Sequence, residues 1–173
     1  KSLLHEAGYV ALGLDHFALP NDPLVNAYEK NQLHRNFMGY ALKEQTGQVY
    51  GVGASSISQL SLGYLQNERN YQTYTHMMQQ KGHAFTRGYK LSRKEQIVGK
   101  IITQIMCNGQ LHWEDMAKQT NTSIDELKHI TQFNPELMQE FAQEDLINYE
   151  SYSFSLKSKG WFFVRNIAAL FDP

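Results

Sequence analysis

The chain has 173 residues, of which 42% are hydrophobic and 19% charged, so it can bury a core as one large domain or two small ones. Its net charge of −1 offers no general attraction for a nucleic-acid backbone, and no apolar run approaches the ~20 residues a membrane span needs. The single cysteine, Cys107, excludes an internal disulfide framework and fits a reducing, cytoplasmic compartment.

In chain order, the first residues do not form a signal peptide, because their apolar stretch is too short. Lys1 to Gly8 reads as the last turns of a helix closed by Gly8, which leads us to expect a chain cut from something longer. Tyr9 to Leu14 is a short apolar run and reads as a buried strand, with Asp15 and His16 at its C-terminal end. In α/β folds that end faces the ligand crevice. Pro20 to Pro23 forms a loop and helix start, and Leu24 to Lys30 reads as a helix. Residues 31 to 48 show no clean period and read as irregular with extended stretches. Val49 to Ala54 is a second strand candidate whose glycines point to a close backbone approach. Residues 67 to 81 read as a helix, and Gly82 to Lys90 as a connector.

The pattern changes at Leu91. Ser92-x-x-Glu95 is a capping box, and Ile97, Val98, Ile101, Ile102, Ile105 and Met106 follow on one helical face. Asn108-Gly109 ends that helix. A short helix is expected over 113–118, and Ser123-x-x-Glu126 starts another. Asn134-Pro135 places a cap and an N1 proline ahead of a fourth. Tyr152, Phe154 and Leu156 alternate with other residues as in a half-buried strand. A final helix carries Trp161, Val164, Ile167, Ala168 and Phe171. Helices, a β-ribbon and a closing helix resemble a winged-helix arrangement.

Several residues could carry chemistry. Asp15-His16 pairs a carboxylate with an imidazole, which could bind substrate or shuttle a proton; a capping Asp beside a packed His is the plainer reading. His34-Arg35-Asn36-Phe37 brings a guanidinium, an amide and a ring together, and an Arg fork suits a carboxylate. A surface Arg paired with a nearby acid is the alternative. Gly51-x-Gly53 lacks the third glycine of the dinucleotide fingerprint and reads as close packing. The seven histidines form no metal-ligand spacing. Cys107 reads as a packed thiol and Trp161-Phe162-Phe163 as core; Arg87, Lys90 and Arg165 could meet acidic substrate groups, though scattered bases usually solvate a surface.

Four strings in fixed order resemble one family. They are Gly13-x-Asp15-His16-Phe17-Ala18, then Leu33-His34-Arg35-Asn36-Phe37-x-Gly39-Tyr40. Gly51-x-Gly53-x-Ser55-x-Ile57-Ser58 follows, and Lys159-Gly160-x-x-x-x-Arg165-Asn166-Ile167 with Phe171-Asp172 completes the set. Together they resemble oxygen-independent coproporphyrinogen III oxidase, a radical S-adenosylmethionine family of haem synthesis. The family holds a [4Fe-4S] cluster with a C-x-x-x-C-x-x-C run, which this sequence lacks. The resemblance therefore implies a C-terminal part that is inactive alone.

By the same resemblance, residues 1–90 would be the last part of an incomplete (β/α) barrel, and residues 91–173 a helical, winged-helix-like domain. The expected class is α+β or mostly α. S-adenosylmethionine contacts carry over to Phe37, Met38 and Ile57. Met38 stands where the family usually has Gln, and a thioether cannot donate the amide's hydrogen bonds. Arg35 and His16 are the candidate contacts to substrate, coproporphyrinogen III. The implied reaction is oxidative decarboxylation of two propionates to vinyl groups by a monomer, with a reductant as electron source. A sister group of haem-binding chaperones tends to carry a His-Asn step leading to Tyr-Trp, and the His-Arg-Asn-Phe step here favours the oxidase. A nucleic-acid-binding winged helix is the remaining alternative. Its recognition segment, Ser123 to Gln132, sets Lys128 against Asp125 and Glu126 and would repel phosphate.

Overall fold

A computed structural model describes residues 2–13, 15–36, 39–42 and 48–173. Phe37 and Met38 lie outside them. In chain order the elements are α1 (Ser2–Glu6), β1 (Val10–Leu12), β2 (His16–Ala18), α2 (Pro23–Glu29), β3 (Leu33–Asn36) and β4 (Gly39–Leu42). Next come β5 (Ile57–Leu60), β6 (Gly63–Asn67), α3 (Tyr71–Lys81), β7 (Phe85–Lys90) and α4 (Arg93–Asn108). The chain continues through β8 (Gln110–His112), α5 (Trp113–Thr120), α6 (Ile124–Ile130), α7 (Pro135–Gln143), β9 (Ile147–Glu150) and β10 (Ser153–Leu156). A 3-10 turn (Gly160–Phe163) leads into α8 (Val164–Ala169).

Helices and strands are mixed, and the described strands close no barrel. Each of their pairings is antiparallel: β1-β2, β3-β4, β5-β6-β7 and β8-β10-β9. Short links explain this for the hairpins, since a parallel return needs a crossover of a dozen or more residues.

The chain forms two compact units, one of residues 1–43 with 97–173 and the other of residues 44–96. This grouping differs from the expected division at 90 and 91, because the hairpin β3-β4 and helix α2 pack with the end of α4. Ala27, Leu33 and Cys107 are buried together, with Leu24, Tyr28, Tyr40 and Leu42 against them.

The larger unit owes its main core to the periodic face of α4. Ile97, Ile101 and Ile105 point inward and meet Leu111, Trp113, Met116, Leu127, Phe154, Ile167 and Phe171. The Ser92–Glu95 capping box is complete: Glu95 N–H donates to Ser92 Oγ at 3.2 Å, and Ser92 N–H donates to Glu95 Oε2 at 2.7 Å. Asn134 caps α7 by accepting from Glu136 N at 2.9 Å and Leu137 N at 3.2 Å. Asp22 caps α2 in the same way, accepting from Leu24 N at 2.8 Å, with Pro23 opening the helix.

The second unit departs most from the sequence reading. Val49 to Ala54 is not a strand; Val49 only bridges Gln59, and the strand is β5, further on. Gly53 at φ +99° and Ser55 at φ +62° turn the chain back between them. Gly51 packs against Ile57 so closely that a Cβ would lie 2.7 Å from its carbonyl carbon. Asn67 ties the turn, its amide donating to Gly53 O and Ser56 Oγ, both at 3.0 Å. The expected connector at 82–90 is largely the strand β7, all of whose residues are exposed. An outer strand without a buried face has no apolar alternation to reveal it.

Three smaller corrections concern the ends of elements. Within residues 31–48, the expected extended stretches pair as the hairpin β3-β4, a regularity the sequence does not show. Tyr152 is 63% exposed in the turn before β10, while Phe154 is buried. In Trp161-Phe162-Phe163 only Trp161 is half-buried, and Phe162 is exposed on the 3-10 turn.

Candidate functional site

The first and second hairpins of the larger unit bring the singled-out residues together. Asp15 and His16 sit at the turn between β1 and β2, in a hairpin rather than at the end of a parallel strand. His16 Nδ1 lies 2.8 Å from Asp15 Oδ1, so the carboxylate fixes the ring. With its proton on Nδ1 the imidazole donates to Asp15 and leaves Nε2 as an acceptor; the protonated ring makes Nε2 a donor.

Arg35 lies on β3 directly opposite Tyr40 on β4. Its guanidinium carbon is 5.0 Å from the centre of the Tyr40 ring, a cation–π distance. The same ring meets His16 edge-on at 4.7 Å. Arg35 Nη1 is buried and has no hydrogen-bond partner among the described residues. A buried N–H left without an acceptor is costly, and a guanidinium donates best to a carboxylate.

The field around Asp15 is positive. The hydrogen bond from His16 holds its carboxyl below the ordinary value against slight desolvation; the charges of His16, Arg35 and Arg165 act in the same direction. Asp15 therefore stays ionised to lower pH than an ordinary aspartate. Arg165, from α8, stands in the fourth family string, but its approach to Asp15 has no signal in the sequence. Tyr40, which meets both side chains, stands in the second family string, and its pairing with Arg35 follows from the hairpin register.

Cys107 ends the buried face of α4, near enough to Arg35 to feel its charge. Burial pushes its thiol up to about 12, opposed only partly by Arg35. The native chain should resist alkylation by iodoacetamide at about pH 8, where an ordinary thiol is substantially ionised. Denaturant should release one equivalent of reactive thiol, and prompt labelling of the native chain would contradict this burial.

The residues of this chain do not fit an iron–sulfur cluster. Cys107 is its single cysteine, and no metal-holding group of His, Cys, Asp and Glu occurs among the described residues. Of the three residues expected near S-adenosylmethionine, Phe37 and Met38 fall outside the described residues. Ile57 opens β5 in the second unit and is half-buried, so it can offer apolar packing and main-chain groups to such a ligand.

The arrangement in the larger unit sets an imidazole and a guanidinium against one tyrosine ring on a mixed helix-and-strand frame. The chain matches the C-terminal part of oxygen-independent coproporphyrinogen III oxidase. It is 32% identical over 172 residues to the enzyme of that name from Salmonella typhimurium, covering 98% of this chain. Identity to the Pseudomonas aeruginosa oxidase is 34% over 169 residues, again across 98% of this chain. The chain spans 36% of the length of each of these curated relatives. Among solved structures, coproporphyrinogen III oxidase HemN from Escherichia coli, described as a radical SAM enzyme, matches with a TM-score of 0.87 and 29% identity. That match covers 99% of this chain and 38% of the solved one. No family model matches the chain.

Proposed function

We propose that the chain is the C-terminal part of an oxygen-independent coproporphyrinogen III oxidase, which removes two propionate carboxyls from coproporphyrinogen III in porphyrin synthesis. Residues 1–90 would complete the barrel part of the enzyme, and residues 91–173 would form a winged-helix-like cover. The order of α4, β8, α5, α6, α7, β9 and β10, with the sheet β8-β10-β9, supports the second assignment.

The observation that carries the reading is Arg35 Nη1, buried without a partner among the described residues, on a guanidinium that lies over the ring of Tyr40, which also meets His16. Its natural acceptor is a propionate carboxylate of the substrate. His16, oriented by Asp15, would as the imidazolium donate Nε2–H to the same or a neighbouring carboxylate. Phe37, Met38 and Ile57 would contact S-adenosylmethionine, with Met38 supplying no side-chain amide. The cluster and S-adenosylmethionine supply the radical chemistry; the cluster's ligands would come from outside this chain. The enzyme would be a cytoplasmic monomer fed by a separate electron donor. No helix among the described residues is long and apolar enough to cross a membrane.

A fluorescence titration of the full-length protein tests the carboxylate part. Coproporphyrin III, the stable oxidised form of the substrate, should bind saturably, and etioporphyrin, which lacks carboxyls, should not. Equal binding of both would overturn the role of Arg35. Tight haem binding with no affinity for coproporphyrin would favour a haem-binding chaperone.

A further inference from the structure

One side chain touches both candidate substrate contacts, yet nothing in the proposed reaction has required it. Tyr40 lies under the Arg35 guanidinium at 5.0 Å and meets the His16 ring at 4.7 Å with an interplanar angle of 88°. Arg35 and His16 belong to different two-stranded sheets, so Tyr40 joins the sheets at the site. Its own position is fixed twice. The antiparallel register sets it opposite Arg35, which places the two side chains on one face. Its hydroxyl also fills the space where a Cβ of Gly13 would stand, in a turn whose φ of +57° favours glycine.

We infer that Tyr40 is a positioning residue: its ring holds the Arg35 guanidinium and the His16 imidazole at the spacing at which both donate to carboxylates of one acidic substrate. The inference rests on the proposed reading of Arg35. The stacked ring keeps the guanidinium fork in place without using its N–H groups. A hydrogen-bonding partner in the same place would compete with the substrate for them. The edge-on contact adds a second restraint on the imidazole to the one from Asp15.

The test compares Tyr40→Phe, Tyr40→Leu, Tyr40→Met and Arg35→Ala in the full-length protein. The readouts are coproporphyrin III affinity by fluorescence and, separately, KM and kcat for coproporphyrinogen III. Tyr40→Leu and the unbranched, more adaptable Tyr40→Met should each weaken binding about tenfold, with the loss in KM rather than kcat. Tyr40→Phe keeps the ring and should stay within about threefold of the parent. Combining Tyr40→Leu with Arg35→Ala should weaken binding by less than the product of the two single losses, because both changes remove the Arg35 interaction and only the His16 share remains to be lost.

Parent-like binding by Tyr40→Leu and Tyr40→Met, with Arg35→Ala impaired, would overturn the inference and leave the reading of Arg35 standing. Equal losses in Tyr40→Phe and Tyr40→Leu would also overturn it, by assigning the effect to the hydroxyl. If neither Tyr40→Leu nor Tyr40→Met folds, the ring is a core support and the inference falls. Unchanged affinity in Arg35→Ala would remove the reading itself, and the inference with it.

Discussion

Arg35→Ala in the full-length protein is expected to weaken coproporphyrin III binding roughly a hundredfold, a loss of about 2 to 4 kcal/mol. The size follows from burial. A carboxylate taking the Nη1 donor there is shielded from water, and without Arg35 it would sit unpaired. Arg35→Lys should recover only part of the affinity, since an ammonium has neither the planar fork nor the same stacking on Tyr40. Stability should move little. Nη1 already lacks a hydrogen-bond partner among the described residues, so truncation removes an unsatisfied donor as well as the contact with the ring. A variant with parent affinity and turnover would refute the assignment. A variant that merely unfolds would mean the guanidinium is structural.

Trp113→Ala should destabilise the larger unit by about 3 to 5 kcal/mol, measured by urea unfolding followed through far-UV circular dichroism. Trp113 is 1% exposed and stands where α5 begins, directly after β8. Its ring packs edge-on to Phe133 at 5.1 Å and tilts against Phe171 at 6.2 Å, and the Lys128 ammonium lies 5.8 Å from it. Truncation leaves a cavity among aromatic rings held by one another, Phe171 stacked on Phe154 and Phe133 tilted against Phe171, and such rings relax into it poorly. Trp113→Phe should cost clearly less because an aromatic ring remains. A loss below about 1 kcal/mol for the alanine variant would show that the rings collapse and that this core does not depend on the indole.

The helical half was the more legible in sequence. Ser92-x-x-Glu95, Asn134-Pro135 and the apolar face from Ile97 to Ile105 each carry a local signal, and each forms the expected element. The 44–96 unit was opaque for a physical reason. Its strands are short and little buried, so hydrophobic alternation is weak, and turns at Gly53 and Ser55 displace the strand from the apolar run. The site was legible in part. Arg35 and His16 stood in short polar motifs, but their meeting depends on two hairpins and on Tyr40 between them. A backbone register is not visible in a single sequence where residues 31–48 lack a clean period. Arg165 lies 150 positions from Asp15 along the chain, at a range where only the fold can bring charges together.

The most direct measurement takes the full-length protein, rebuilds its cluster without oxygen, and supplies coproporphyrinogen III, S-adenosylmethionine and a reductant. Protoporphyrinogen IX formed together with deoxyadenosine is the expected result, and it would make Met38 a tolerated variation. Deoxyadenosine without decarboxylation would mean a radical enzyme acting on another substrate. Neither product, with haem bound tightly instead, would contradict the account and place the chain with the chaperones.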